Sequence, residues 1–380
     1  MSPASGTMPG AGERVVVAMS GGVDSSVAAA LLAEQGYDVV GISMRLAPDG
    51  GERARSSGCC SLADFRDAGR VATRLGVPHY VFDMREEFGA AVVAPFVEEY
   101  LAGRTPSPCI LCNREIKFSL LRRKAAELGA DWVATGHYAR REHRDGRYRL
   151  LRGLDHNKDQ SYFLFEMGQA ELAHTLFPVG ALAKDEVRAI ASRLGLGVAD
   201  KQESQEICFV PDGSYADVVE RAAADRVRPG EIRDEQGRVL GRHAGVQRYT
   251  IGQRKGLGIA SPEPLYVSDI DADSAIVTVT GRDGLSRAGL LADHVMWTSG
   301  EAEPVGARFE ARIRYRHRAV SATLSAVDGS SASVVFDAPE DAVSPGQAAV
   351  FYRGDEVIGG GWIREALTLA AGAPQAASCA

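Results

Sequence analysis

Apolar positions in the first third of the chain follow two alternating rhythms. Short runs rich in Val, Ile and Met at 14–19, 38–44, 79–82 and 132–135 read as strands, and the stretches 23–35, 62–75, 86–102 and 114–128 between them read as helices. Within the second helical stretch Leu62, Phe65, Ala68, Ala72 and Leu75 recur at steps of three and four, a spacing that lays one apolar stripe against a sheet. Strands and helices in alternation predict a parallel α/β sheet.

The rhythm changes after Gly136. Residues 140–143 and 147–151 flank Asp145-Gly146, a pair that supplies the positive φ a tight hairpin needs. A helix over 185–194 closes this region. From about 210 the chain turns Gly- and Arg-rich with short strand runs, and beyond about 290 strands alternate with Pro, Gly and Asp. The expected organisation is an α/β domain over 13–209, a small mixed or β central domain over 210–286 and a C-terminal β-barrel over 287–368. Tails over 1–12 and 369–380 are expected at the two ends.

Composition changes this picture little. A chain of 380 residues with 45% hydrophobic and 24% charged residues is an ordinary globular mixture, which excludes collagen, coiled coil or global disorder. Forty-three basic against fifty acidic residues give a net charge of −7, so any nucleic-acid contact has to come from a local basic patch. The N-terminus lacks a basic n-region, and the first apolar run, 15–19, is too short for a signal segment or a membrane span, so the expected location is the cytoplasm.

The first candidate chemistry lies at 18–26, where Ala18, Met19, Ser20, Gly21, Gly22, Val23, Asp24, Ser25 and Ser26 connect the first strand to the first helix. A glycine pair at a helix N-terminus lets backbone N–H groups approach an anion, with the positive end of the helix dipole behind them. The serine hydroxyls are candidate further donors, and Asp24 is a candidate cap, donor-orienting group or Mg²⁺ ligand. No Gly-x-x-x-x-Gly-Lys pattern is present. The loop resembles instead the Ser-Gly-Gly-x-Asp-Ser pyrophosphate loop of N-type ATP pyrophosphatases. That resemblance implies cleavage of ATP to AMP and pyrophosphate, with adenylation of a carbonyl oxygen.

Six cysteines are too few for a disulfide scaffold. Cys109 and Cys112 stand three apart before the helix expected at 114–128, which places Cys112 near a helix N-terminus where the dipole favours thiolate. Cys208 lies far along the chain. Two distant redox-active thiols suit sulfur delivery, in which one carries a persulfide and the other attacks it. A zinc half-site at Cys109 and Cys112, and an iron–sulfur cluster on Cys109, Cys112 and Cys208, are the competing readings. Cys59, Cys60 and Cys379 read as ordinary thiols.

Arg312, Arg314, Arg316 and Arg318 alternate with Ile313, Tyr315 and His317, so a strand there would put four guanidinium groups on one face, suited either to phosphates or to protecting a sheet edge. Further basic sets lie at Arg140, Arg141, Arg144, Arg147 and Arg149 and at Arg248, Arg254 and Lys255, which favours RNA.

Segments 19–26, 103–118, 134–139, 157–164, 203–209, 243–259 and 313–316 together resemble the bacterial tRNA-specific 2-thiouridylase family over most of the chain. The resemblance implies a nucleophilic Cys112, a persulfide-bearing Cys208 and a disulfide between them during turnover. It further implies ATP binding at Ala18 to Ser25, Met44 and Gly136, and contact with the target base at Ser107, Pro108 and Cys109. Asn-Pro-Asp in some family members stands as Ser-Pro-Cys here. His137, Lys158, Asp159, Gln160, Arg314, Tyr315 and Gln347 are the implied tRNA contacts. The implied partners are tRNA of the Lys, Glu and Gln acceptors and a persulfide donor protein; the implied cofactor is ATP with Mg²⁺. An amide-forming synthetase on the same loop and a catalytically silent tRNA binder are the alternative functions.

Overall fold

The computed structural model describes residues 10–46, 61–202, 207–210 and 214–368. Cys59, Cys60 and Cys379, and residues 203–206 of the motif before Cys208, lie outside the described residues.

Strands β1 (Arg14–Ala18), β2 (Asp38–Arg45), β3 (His79–Asp83) and β4 (Trp132–Ala134) are joined, after a hairpin of β5 (Ala139–Arg144) and β6 (Arg147–Arg152), by β7 (Thr175–Leu176). The five non-hairpin strands form a parallel sheet in the order β3-β2-β1-β4-β7, as the alternating pattern predicts. Val15 and Val17 face a core shared with helix α1 (Val23–Glu34), while Val16 and Ala18 face a second core closed by Leu121 and Ala125. A strand buried on both faces is continuously apolar, which is why 15–18 carries no polar residue. Helix α2 (Leu62–Leu75) spans the predicted stretch, capped by Ser61, whose hydroxyl accepts from the Asp64 N–H while Asp64 accepts from the Ser61 N–H.

Two helices depart from expectation. Cys109 and Cys112 lie inside a helix rather than before one: the helix runs over 108–127, with Ser107 at its start and Pro108 in its first turn. Proline fits the first turn because its missing N–H would have no intrahelical partner. The helical turns widen to i→i+5 bonding over Cys112–Leu120, and again over Gly89–Val93 in the helix spanning 85–101.

Strands β8 (Gly230–Asp234), β9 (Val239–His243), β10 (Tyr266–Asp271) and β11 (Ile276–Thr280) make a mixed sheet, order β10-β11-β8-β9, over a core of Ile232, Val267, Val277 and Val279. Strands β12 (Ser286–Trp297), β13 (Arg308–Arg312), β14 (Val320–Asp328), β15 (Ser331–Asp341), β16 (Ala348–Arg353) and β17 (Glu356–Leu367) pair antiparallel in the order β12-β15-β14-β13-β16-β17, and β12 pairs with β17 to close a six-stranded barrel. The β5–β6 hairpin turns at Asp145 and Gly146, both at positive φ, and extends the barrel sheet through β6–β17 pairing. Among the described residues no helix is long and apolar enough to cross a membrane.

Candidate active site

The loop after β1 is braced on every side. Gly21 adopts φ +74°, and a Cβ there would stand 2.3 Å from the Asp64 carbonyl oxygen, so only glycine fits. Gly22 begins α1, and its carbonyl accepts from the hydroxyls of Ser25 at 3.2 Å and Ser26 at 2.8 Å. These serines therefore stiffen the loop from within, a role the sequence reading did not give them. Gly136, after β4, lies against the loop so closely that a Cβ would meet the Ser25 nitrogen at 2.6 Å. The Met19 carbonyl accepts from Ser43 Oγ at 2.6 Å, so β2 holds the loop's entry.

Two lysines that sequence reasoning missed reach this loop. Lys184 Nζ donates to both Asp24 carboxylate oxygens at 2.7 and 2.9 Å, and Tyr138 Oη donates to Asp24 Oδ1 at 2.8 Å. Lys201 Nζ donates to Gly21 O at 3.0 Å and to Asp64 and Asp67 at 2.7 Å each. Burial works against the Lys201 charge, but hydrogen bonds to Asp64 and Asp67 outweigh it and raise its pKa. Both lysines lie some 160–180 residues from their loop partners, and only the fold brings them there.

Beside Gly136, His137 is buried between Thr135 Oγ1 at 2.8 Å and Lys117 Nζ at 3.4 Å. Burial first, and the Lys117 charge second, push its pKa well below 6.5, so the imidazole is neutral. Because an ammonium only donates, Nε2 accepts from Lys117 and Nδ1–H donates to Thr135.

The cysteines are brought to one end of the parallel sheet. Cys112 is buried in an apolar cluster with Leu46, Met84, Phe88, Val92, Ile116 and Leu120; Cys208, half-buried, packs against the same cluster, as does Met44 at the end of β2. Cys109 is exposed in the first turn of the 108–127 helix. The dipole acts within the first turn, so it favours Cys109 more than Cys112, which corrects the expectation that Cys112 stands at the helix start. Among the described residues no three His, Cys, Asp or Glu side chains converge as a metal site, and Cys109, Cys112 and Cys208 thus do not form a cluster cage. Among the described residues neither the zinc nor the iron–sulfur reading finds its ligand set.

The implied tRNA contacts divide. Lys158 and Gln160 are half-buried, and Gln160 Oε1 accepts from the Tyr138 N–H at 3.0 Å. Asp159 is 3% exposed; its carboxylate takes the N–H groups of Gly153 and Ser161 and, at 3.2 Å, Arg312 Nη1, so it points inward rather than toward a ligand. Gln347 Nε2 donates to the carbonyls of Thr105 and Pro106, which holds the segment ahead of Ser107, Pro108 and Cys109.

The four-arginine strand is a correction. Strand β13 ends at Arg312, and the following residues form a turn in which the His317 N–H donates to Arg314 O at 3.0 Å. Arg312 is drawn inward by Asp159, Arg318 is bound by the buried Glu340, and Arg314 donates to Asp341 O. Tyr315 lies against Phe163, ring centroids 4.3 Å apart, and Arg316 is exposed. Buried carboxylates thus engage two of the four guanidinium groups, those of Arg312 and Arg318, and because the strand stops at Arg312 the four share no strand face. On the hairpin, Arg140, Arg141 and Arg149 likewise serve Asp355, the Tyr148 ring and Glu356.

Known proteins match the chain along its length. Residues 13–212, 217–281 and 287–363 match families described as tRNA methyl transferase HUP domain, tRNA methyl transferase PRC-barrel domain and Aminomethyltransferase beta-barrel domain. A tRNA-specific 2-thiouridylase MnmA from Geotalea uraniireducens is 53% identical over 362 residues, covering 93% of this chain and 96% of that protein. Its counterpart from Geobacter metallireducens is 52% identical over 364 residues, covering 94% and 98%. The one from Rhodospirillum centenum is 50% identical, covering 92% and 91%. The chain belongs to the tRNA-specific 2-thiouridylase family.

Proposed function

We propose that this protein is an ATP-dependent tRNA-uridine 2-sulfurtransferase that makes 2-thiouridine at the wobble position. The observation that carries the reading is the packing of Cys112, Cys208 and Met44 in one cluster at the end of the sheet whose first strand feeds the phosphate loop. An amide-forming synthetase on the same loop has no use for two thiols there, and neither does methyl transfer.

The loop's backbone donors hold the phosphates of ATP, a substrate that arrives with Mg²⁺, and Asp24 in the first turn of α1 would serve as a carboxylate ligand for the ion. The uridine O2 attacks the α-phosphorus and pyrophosphate departs. Ser107, Pro108 and Cys109 receive the base, which has to leave its stack because C2 of a stacked uridine is inaccessible. Sulfur carried as a persulfide on Cys208 reaches C2 by one of two routes: its outer sulfur attacks C2 and Cys112 then attacks the Cys208 sulfur, breaking the S–S bond and freeing the thiocarbonyl, or Cys112 attacks that inner sulfur first and the released hydrosulfide attacks C2; in both, the C2–O bond breaks and AMP leaves with the oxygen. Either route ends with a Cys112–Cys208 disulfide, which a thiol reductant reopens. His137, Lys158, Gln160, Arg314, Tyr315 and Gln347 line or support the tRNA surface, and Asp159 acts through Arg312. The substrates are tRNAs of the Lys, Glu and Gln acceptors, the sulfur comes from a persulfide donor protein, and the setting is the cytoplasm.

The test is mass spectrometry of nucleosides from tRNA isolated from a strain lacking the gene and then incubated with the protein, ATP and a persulfide donor. ATP-dependent 2-thiouridine is the expected product; unthiolated tRNA with intact binding would leave a silent tRNA binder.

A further inference from the structure

Resting on the reading of 20–26 as the ATP loop, we propose that Lys201 is a positioning residue that aims the Gly21–Gly22 peptide at the phosphates.

In a planar trans peptide the C=O and N–H point in opposite directions. Lys201 Nζ holds the Gly21 carbonyl oxygen from one side at 3.0 Å, so the Gly22 N–H is turned to the other. That N–H reaches Ser20 Oγ only at 3.4 Å, longer than an ordinary N–H···O bond, which leaves it suited to a stronger acceptor such as a phosphate oxygen. Gly21 needs such a hold. It has no side chain to restrict rotation of the peptide, and its φ of +74° lies where glycine moves readily.

Lys201 is itself fixed. Its ammonium has three N–H groups, and three acceptors engage them: Gly21 O, Asp64 and Asp67. Asp64 also takes part in the cap that starts α2, and its backbone carbonyl is the group that excludes a Cβ at Gly21. One ammonium therefore locks the loop to the first turn of α2.

The full-length protein serves for the test. Calorimetry with α,β-methylene-ATP, which cannot be split to AMP, should give Lys201→Met a dissociation constant at least about tenfold above wild type, the size expected for losing a charged hydrogen bond. Lys201→Arg should recover part of it. Unchanged affinity in the folded variant would overturn the proposal. A purely structural lysine would lower the melting temperature alone. Where Lys201→Met does not fold, Lys201→Gln, which keeps one donor for Gly21, is read the same way. The measurement needs no turnover, so a wild type that releases no pyrophosphate would sink the enzymatic reading without deciding this one.

Discussion

Gln347, in the turn that enters β16, donates its side-chain amide to the carbonyls of Thr105 and Pro106 at 2.8 and 3.2 Å, across 242 positions of sequence. The barrel therefore fixes the approach to Ser107, Pro108 and Cys109 directly. Beside it the Thr105 N–H donates to Pro345 O at 2.9 Å, so the segment is held from both of its polar edges.

Replacing Gln347 by Ala should release this segment more than it destabilises the fold. Two hydrogen bonds contribute about 1–3 kcal/mol between them. Thiolation should fall about tenfold, while tRNA-independent ATP binding stays at the wild-type value. Equal losses in both assays would mean that the contact merely supports the fold.

Asp24 carries two consequences. Asp24→Ala should abolish tRNA-dependent pyrophosphate release and leave tRNA affinity nearly unchanged. It also removes the carboxylate from Lys184, which is only 8% exposed, and breaking such a pair costs about 3–5 kcal/mol. Asp24→Asn, which keeps an oxygen for the ammonium, should be less destabilised by urea melts and equally inactive. Pyrophosphate release at the wild-type rate in either variant would remove the loop from the mechanism.

The corrected turn after β13 alters what its arginines should do. Exposed Arg316, changed to Ala, should lower the log–log salt slope of tRNA binding by about one unit. Arg312→Ala should instead destabilise the protein by about 3–5 kcal/mol, because Asp159 would keep its buried charge without this partner. If the two variants behave alike in filter binding and in urea, the inward and outward assignment is wrong.

These cases separate what could be read in the sequence from what could not. The continuous valines of 15–17 and the alternation of strand and helix define the parallel sheet because burial on both faces leaves a local signature. The glycine pair is legible for the same reason, since its backbone requirement is local. Alternating arginines over 312–318 mimic a strand, but the strand stops at Arg312, and Arg312 and Arg318 are engaged by Asp159 and Glu340, buried carboxylates from elsewhere in the chain. Lys184 and Lys201 had no sequence signal tying them to the loop. The helix start at Pro108 did have one: a serine followed by proline, a pattern suited to a first helical turn.

Acid should weaken the fold in a defined window. Burial lowers the pKa of His79, His137, His243 and His317 below 6.5, most strongly at His137. Below that pH the unfolded chain binds more protons than the native one, so the stability they confer is complete above about pH 6.5 and is lost as pH falls. Urea midpoints measured from pH 8 to 5 should decline below 6.5, and His137→Gln should flatten the decline. A variant with the wild-type slope would show that His137 charges without cost.

The cysteines should separate by chemistry rather than by degree. Cys208→Ser should accept no labelled persulfide sulfur from a donor, yet still release pyrophosphate with tRNA, because activation at the phosphate loop precedes sulfur transfer. Cys112→Ser should load sulfur on Cys208 but complete no thiolation, and no Cys112–Cys208 disulfide should form after a single turnover. Burial of Cys112 beside Ile116 and Leu120 makes serine a fair replacement in volume, though its hydroxyl enters an apolar cluster at a cost of about 1–3 kcal/mol, so each variant needs a melting curve beside its activity. Cys109, exposed and outside that cluster, gives the sharpest contrast. Cys109→Ser should still complete thiolation and form the Cys112–Cys208 disulfide in an aerobic, iron-free preparation, with any loss confined to the KM for tRNA. Iron bound by anaerobically purified wild type and lost together with activity in that variant would replace the persulfide route with a three-cysteine cluster.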